Sequence, residues 1–255
     1  MRRGNFKVRI LIFAAIAAFA FIRKCSQEEV NPYTGKKQAI SLSPDQEIAI
    51  GLQSAPGMAQ QHGGLHPNNQ YQALVDNVGN KLINNSIARS TPYKYEFHLL
   101  ADENTINAFA LPGGQIFITQ ALFAKLENED QLAGVLGHEI GHVLGKHSNE
   151  RITNANFWKT LAMGGSAIDM GGVAQQFGQG QLLKNGRGDE LESDELGVRF
   201  MLKAGYNPEE MIGVMEILKA AAGPNRVPEF QSSHPDPENR IEKIREAIRK
   251  YKNAS

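Results

Sequence analysis

Apolar and polar positions along this chain follow two different periods. Positions 10–22, ILIFAAIAAFAFI, are apolar without a break. As a helix those thirteen residues rise about 20 Å, short of the roughly 30 Å hydrocarbon core of a bilayer. Residues 26–42 are polar with a turn at Asn31-Pro32, the signature of a linker. Ser43-Pro44-Asp45-Gln46 opens a helix, since Ser43 can cap, Pro44 suits the first turn and Gln46 completes a capping box. That helix runs to about Gln61, and Gly63-Gly64 and Pro67 end it. Leu74, Val75, Val78, Leu82 and Ile83 fall at helical spacing and predict a second helix from Asn68 to about Asn85. Residues 94–100, KYEFHLL, alternate like a strand, and 114–119, GQIFIT, form the next after the Pro112-Gly113-Gly114 turn. Asn107–Leu111 lies between them as a short strand.

Beyond Thr119 the helical period takes over, at Gln131–Leu144, Asp189–Ala204, Pro208–Ala222 and Pro237–Lys252. Met163–Gly180 interrupts it with six of the chain's 25 glycines while keeping Ile168, Met170, Val173 and Phe177, as a lid or a loose helix would. The order of elements predicts one α+β domain, mostly helical, with a small sheet in its N-terminal half.

Composition narrows the class. The chain has 255 residues, 41% hydrophobic and 21% charged, which suits a globular protein. No apolar run approaches the length of about 18 residues that a polytopic membrane protein repeats. The lone Cys25 excludes a disulfide framework. The 27 basic and 27 acidic groups cancel, which disfavours nucleic acid as a partner. That balance hides two parts: residues 1–25 carry six basic groups and no acid, so the remainder is acidic by six. A basic start followed by an apolar run resembles an export signal, and Ala18-Phe19-Ala20 is a small-x-small cleavage site. Arg23 and Lys24 follow at once and favour retention as an anchor. Cys25 follows Ile-Arg-Lys rather than the small residues of a lipid-attachment site. The expectation is a signal sequence or membrane anchor over 1–25, a linker over 26–42 and one domain over 43–255. The domain is expected on the exported, cell-envelope side, held to the membrane by the N-terminal segment.

The chemistry concentrates in His138-Glu139-Ile140-Gly141-His142. On a helix, residues i and i+4 share a face, so the two imidazoles can bind one metal ion while Glu139 reaches a water beside it. Zinc suits imidazole ligands, and its catalytic sites take three protein ligands plus water. A metzincin places its third histidine ten residues after the first, but Ser148 stands there and His147 falls one short. A one-residue shift turns the ring by about 100°, so His147 is read as a hydrogen-bonding residue at the helix end. Glu190 and Asp194, also four apart, can supply a zinc ligand and a carboxylate that orients a ligand histidine. Glu192 and Glu195 point elsewhere and are read as solvated.

HEIGHVLGKH followed about 50 residues later by GRGDELESDELGVRFM resembles the gluzincin peptidases related to CAAX prenyl protease, HtpX and BepA-like proteases. NPYTGKKQAISLSPDQEIAIG, Asn107–Gly114 and Ser233-His234-Pro235 with Arg240 resemble further elements of that family, in the same order. The resemblance implies a zincin-like (minigluzincin) domain whose edge strand borders the active site. It implies one Zn2+ on His138, His142 and Glu190, with Glu139 as general base and Asp194 behind the ligands. It further implies His234 and Arg240 as active-site residues, His234 as a fourth ligand in a latent state and Arg240 at the oxyanion. An extended substrate is expected to pair with Gln115–Ile118, placing Asn107, Gly113, Gly114, Gln115, Ile116 and Phe117 in substrate binding. The function so implied is hydrolysis of peptide bonds in protein or peptide substrates, misfolded or envelope proteins among them. A latent, chaperone-like quality-control factor is the alternative.

Overall fold

The computed structural model describes residues 6–163, 172, 176, 185–221, 229–234 and 239–253. The glycine-rich stretch expected as a lid lies almost wholly outside them. The N-terminal apolar run forms α1, Phe6–Ser26. No helix among the described residues is long and apolar enough to cross a membrane. Leu11, Phe19, Phe21 and Ile22 of α1 are exposed, whereas Ala20 is buried. The stretch expected as a linker holds a two-stranded antiparallel hairpin, β1 (Glu28–Val30) with β2 (Lys37–Ala39).

Helix α2, Pro44–Gln61, starts at the expected capping box: Gln46 N–H donates to Ser43 Oγ at 3.3 Å, and Ser43 N–H donates to Gln46 Oε1 at 2.9 Å. Helix α3, Asn69–Asn84, is capped by Asn68. Three strands follow, β3 (Glu96–Leu100), β4 (Ala108–Ala110) and β5 (Gln115–Thr119). Their order is β3-β5-β4, with β5 parallel to β3 and antiparallel to β4. The rest is helical: α4 (Gln120–Phe123), α5 (Glu129–Leu144), α6 (His147–Met163), α7 (Arg187–Ala204), α8 (Glu210–Ala221), α9 (Glu229–Ser233) and α10 (Arg240–Lys252).

Strand alternation sorts the sheet's side chains into two cores. Phe109, Phe117 and Leu100 face α2 with Ile50 and Met58, and the Phe109 and Phe117 rings stack 4.9 Å apart. Ile116, Ile118, Ala108, Ala110, Phe97 and Leu99 face the larger core, shared with α3, α5, α7 and α8. Each of those phenylalanines contributes about 2–3 kcal/mol by leaving water. Helix α1 stands outside both cores and packs on α6, with Lys24 Nζ 5.0 Å over the Phe157 ring.

Candidate metal centre

Helix α5 carries the two histidines through the middle of the larger core. Asn128 caps it by accepting from Gln131 N–H, and Glu129 and Asp130 sit in its first turn, where the helix dipole favours acids. Everything from Gln131 to Leu144 is buried. Helix α7 crosses it closely because small residues meet. A Cβ at Gly141 would lie 2.9 Å from both Cα and O of Ser193, and one at Gly137 would lie 3.4 Å from Cα of Gly197. That approach sets Glu190 and Asp194 against His138 and His142.

The imidazoles converge at the crossing. Their Nε2 atoms are 3.0 Å apart, and each lies 3.4 Å from a Glu190 oxygen. His234 adds Nδ1 at 3.1 Å from Glu190 Oε1 and 3.4 Å from His138 Nε2. All four side chains are buried, and one donor atom from each lies within 4.8 Å of the others. A tetrahedral zinc with bonds of 2.0–2.1 Å spaces its donors about 3.3 Å apart, so this set fits one zinc ion. The outer nitrogens are committed elsewhere, as ligand histidines require. His138 Nδ1 meets Asp194 Oδ1 at 2.8 Å, and His234 Nε2 donates to the Ala108 carbonyl at 3.2 Å. Both carboxylate oxygens of Glu139 are buried with no hydrogen-bond partner among the described residues, and His234 Nε2 is 3.7 Å from one of them.

Electrostatics follow burial and pairing. Burial disfavours the imidazolium of His138, but its bonds to Asp194 and Glu190 outweigh that and lift it to about 9. Burial wins at His142, which is pushed well below the ordinary range. Glu139 is raised by its burial. Burial would raise Glu190 and Asp194 too, yet both are held low, Glu190 by His234 and His142, Asp194 by Arg240 and His138.

The other expected site residues divide. Arg240 is buried in a fork on Asp194, Nε to Oδ2 at 2.7 Å and Nη2 to Oδ1 at 2.9 Å, with Nη2 3.4 Å from Glu190. It thus braces the ligand scaffold through Asp194. The expected substrate strand needs correction. Strand β5 is the central strand with both edges paired, so Gln115, Ile116 and Phe117 offer a substrate no free backbone. Gln115 instead bonds His98 at 2.8 Å, and Asn107 N–H donates to Thr119 Oγ1. Gly113 and Gly114 shape the turn that α2 covers, with φ of +79° and +112° that favour glycine; a Cβ at Gly113 would lie 2.4 Å from Cα of Ile48. The outer strand beside the histidines is β4. Asn107 and Leu111 bond inward to β5, so by alternation the backbone groups of Ile106, Ala108 and Ala110 point to the outer edge. Residues 229–234 lie along that edge: Phe230 N–H donates to the Ile106 carbonyl at 3.2 Å, beside the His234 bond to Ala108.

Several residues at the site escape sequence reasoning. Asn185 Nδ2 is 3.2 Å from His142 Nε2 and 3.1 Å from His234 Nδ1, and its backbone N–H donates to the Ser233 carbonyl. Arg151 bonds Asn185 Oδ1 and Ser148 Oγ. Glu192, expected in solvent, accepts from His147, which itself touches His142. Nothing in the local sequence around Asn185 or Arg151 signals such a role.

Comparison with known proteins agrees with this geometry. Residues 69–248 match the model of peptidase family M48. The chain is 28% identical to the mitochondrial metalloendopeptidase OMA1 of Schizosaccharomyces pombe, over 92% of this chain and 71% of the relative. It is 27% identical to the beta-barrel assembly-enhancing protease of Yersinia pestis, over 88% of this chain but only 48% of the relative, so it spans about half of that protein. It is 26% identical to the metalloprotease YcaL of Escherichia coli K12, over 83% of each chain. With the two histidines, the glutamate and a family match over most of its length, the chain belongs to peptidase family M48 and is a metalloendopeptidase.

Proposed function

We propose that this chain is a zinc-dependent endopeptidase acting on misfolded or envelope proteins, with His138, His142 and Glu190 as zinc ligands and Glu139 as general base. The observation that carries this reading is the convergence of those three donors beside the orphaned, buried carboxylate of Glu139. Zinc bound there supplies Lewis acidity toward water and the scissile carbonyl. Glu139 takes a proton from the attacking water at a carboxylate oxygen and returns it to the leaving amine. Its burial suits the task, because a raised pKa makes the carboxylate a stronger base. Asp194 and Arg240 keep His138 oriented. An extended substrate pairs with the outward edge of β4. Replacing Glu139 by Gln tests the assignment. The variant is expected to keep about one zinc per chain while losing 10²–10⁴-fold in cleavage of an unfolded protein. Wild-type cleavage by that variant would refute it.

A second reading, of a latent quality-control factor, is favoured by His234, which joins the metal cluster while residues 229–234 occupy the β4 edge. His234→Ala discriminates: a rise in turnover supports an autoinhibited protease, whereas near-zero turnover in both forms supports the chaperone-like role. The Yersinia relative is named for beta-barrel assembly, which supports a substrate of the cell envelope. So does the exposed apolar surface of α1, which we assign to membrane association on the exported side.

A further inference from the structure

We propose that His147, Glu192 and Lys36 form a chain of polar contacts that holds His142 in its metal-binding tautomer, so that the N-terminal hairpin is part of the metal centre. His142 Nδ1 lies 2.8 Å from His147 Nδ1. At that distance one ring nitrogen donates and the other accepts. His142 turns Nε2 toward Glu190 and His138, and a metal needs a lone pair there, so its proton belongs on Nδ1. Free histidine prefers its proton on Nε2, the wrong nitrogen for this task. His147 therefore accepts at Nδ1 and carries its own proton on Nε2, which faces Glu192 Oε2 at 2.9 Å. A carboxylate only accepts, so the far end of the chain enforces the same direction. His147 is fully buried and cannot exchange these partners for water.

Lys36 completes the arrangement, with Nζ 3.3 Å from Glu192, 3.1 Å from Asp189 and 3.8 Å from Glu150. His147, Asp189 and Glu192 could in principle hold a metal themselves, but the Lys36 ammonium already supplies the cation between the two carboxylates. Lys36 arrives on the turn joining β1 to β2, and its neighbours fasten that turn to the end of α5. Asn31 Nδ2 donates to the Leu144 carbonyl at 2.8 Å and Gln38 Nε2 to the Gly145 carbonyl at 3.0 Å. These are carbonyls that a helix end leaves without intrahelical partners. Each ligand histidine thus has a carboxylate behind it: Asp194 directly for His138, and Glu192 through His147 for His142.

His147 and Glu192 are positioning residues, and zinc affinity measured by chelator competition on the full chain tests them. The inference rests on the zinc-site reading above. His147→Ala and Glu192→Leu are expected to weaken zinc binding about 10–100-fold with the circular dichroism spectrum retained. Lys36→Met should give a smaller loss in the same direction. His147→Asn, whose Oδ1 can accept where Nδ1 did, should recover most of the affinity lost in His147→Ala. Wild-type affinity in both His147→Ala and Glu192→Leu would overturn the proposal, as would a His147→Asn variant no better than His147→Ala. Should His147→Ala fail to fold, Glu192→Leu and His147→Asn against wild type carry the test. Failure to find zinc in the wild-type protein would sink the underlying reading; tight wild-type zinc with indifferent variants would sink only the chain of contacts.

Discussion

Asp194 accepts from His138 and from two nitrogens of Arg240 inside the core, and removing such a partner from a buried ion pair costs about 3 kcal/mol or more. Asp194→Ala is therefore expected to lower urea stability by about that amount and to weaken zinc binding as well; unchanged stability would show that Arg240 is satisfied without it. A second carboxylate gives a pH signature away from the metal. Burial would raise Asp102, but bonds from Thr105, His62 and Asn104 outweigh it and hold the group at about 2. Its unfolded value is about 3.9. Its stabilisation is fully present above about pH 4 and is lost as pH falls through 2. A carboxyl-carbon NMR titration should find its midpoint near pH 2, and a midpoint near 4 would refute this account. At this scale the sequence was most legible where helical spacing decides the face. His138 with His142 and Glu190 with Asp194 come together as their spacing implies. The same logic set His147 apart from the metal cluster, and its Nδ1 meets His142 Nδ1, but it could not supply His147's other partner. Glu192 meets His147 only because α7 crosses α5 where Gly141 meets Ser193, a long-range fact that no local window contains.

The crossing of α5 and α7 depends on glycine at the contact. Gly141→Ala pushes a methyl to 2.9 Å from the Ser193 backbone, and backbone cannot rotate aside. We expect a loss of about 1–3 kcal/mol, read as a lower melting temperature, together with weaker zinc binding as Glu190 is displaced. Gly188→Ala, where an added Cβ meets nothing within 4 Å, is the control and should be neutral or slightly stabilising. The start of α2 was legible because a cap is local chemistry, as at Ser43. Strand order was not. β5 was readable as a strand, but its central place follows from pairing with β3 on one side and β4 on the other. The consecutive Ile116-Phe117-Ile118, buried on both faces, was the sequence's own hint against strict one-sided exposure.

For the whole molecule, α1 carries Lys7, Arg9, Arg23 and Lys24 and stands outside both cores. Apolar residues exposed all along α1, next to Arg23 and Lys24, suit attachment to an anionic bilayer surface. The full chain is expected to sediment with vesicles containing phosphatidylglycerol, and deletion of residues 1–25 to leave it in solution. Equal sedimentation of both forms would remove α1 as the anchor. Residues 26–42 read as a linker from polar composition alone; the hairpin they hold, clasping α5, was not legible, because Asn31 and Gln38 reach carbonyls more than 100 residues away. Residues 229–234, bonded to the outer edge of β4, have a further consequence for selection among substrates. On the proposed reading, in which a substrate pairs with that edge, residues 229–234 compete with it from within the same chain, at an effective concentration set by covalent attachment. If that segment is seated 99% of the time, every incoming chain binds about 100-fold more weakly than to the open form. A short exposed loop on a folded protein loses that contest, whereas a long unfolded chain presents many registers to the same edge and prevails by number. Discrimination between folded and unfolded clients then needs no pocket that reads a side chain.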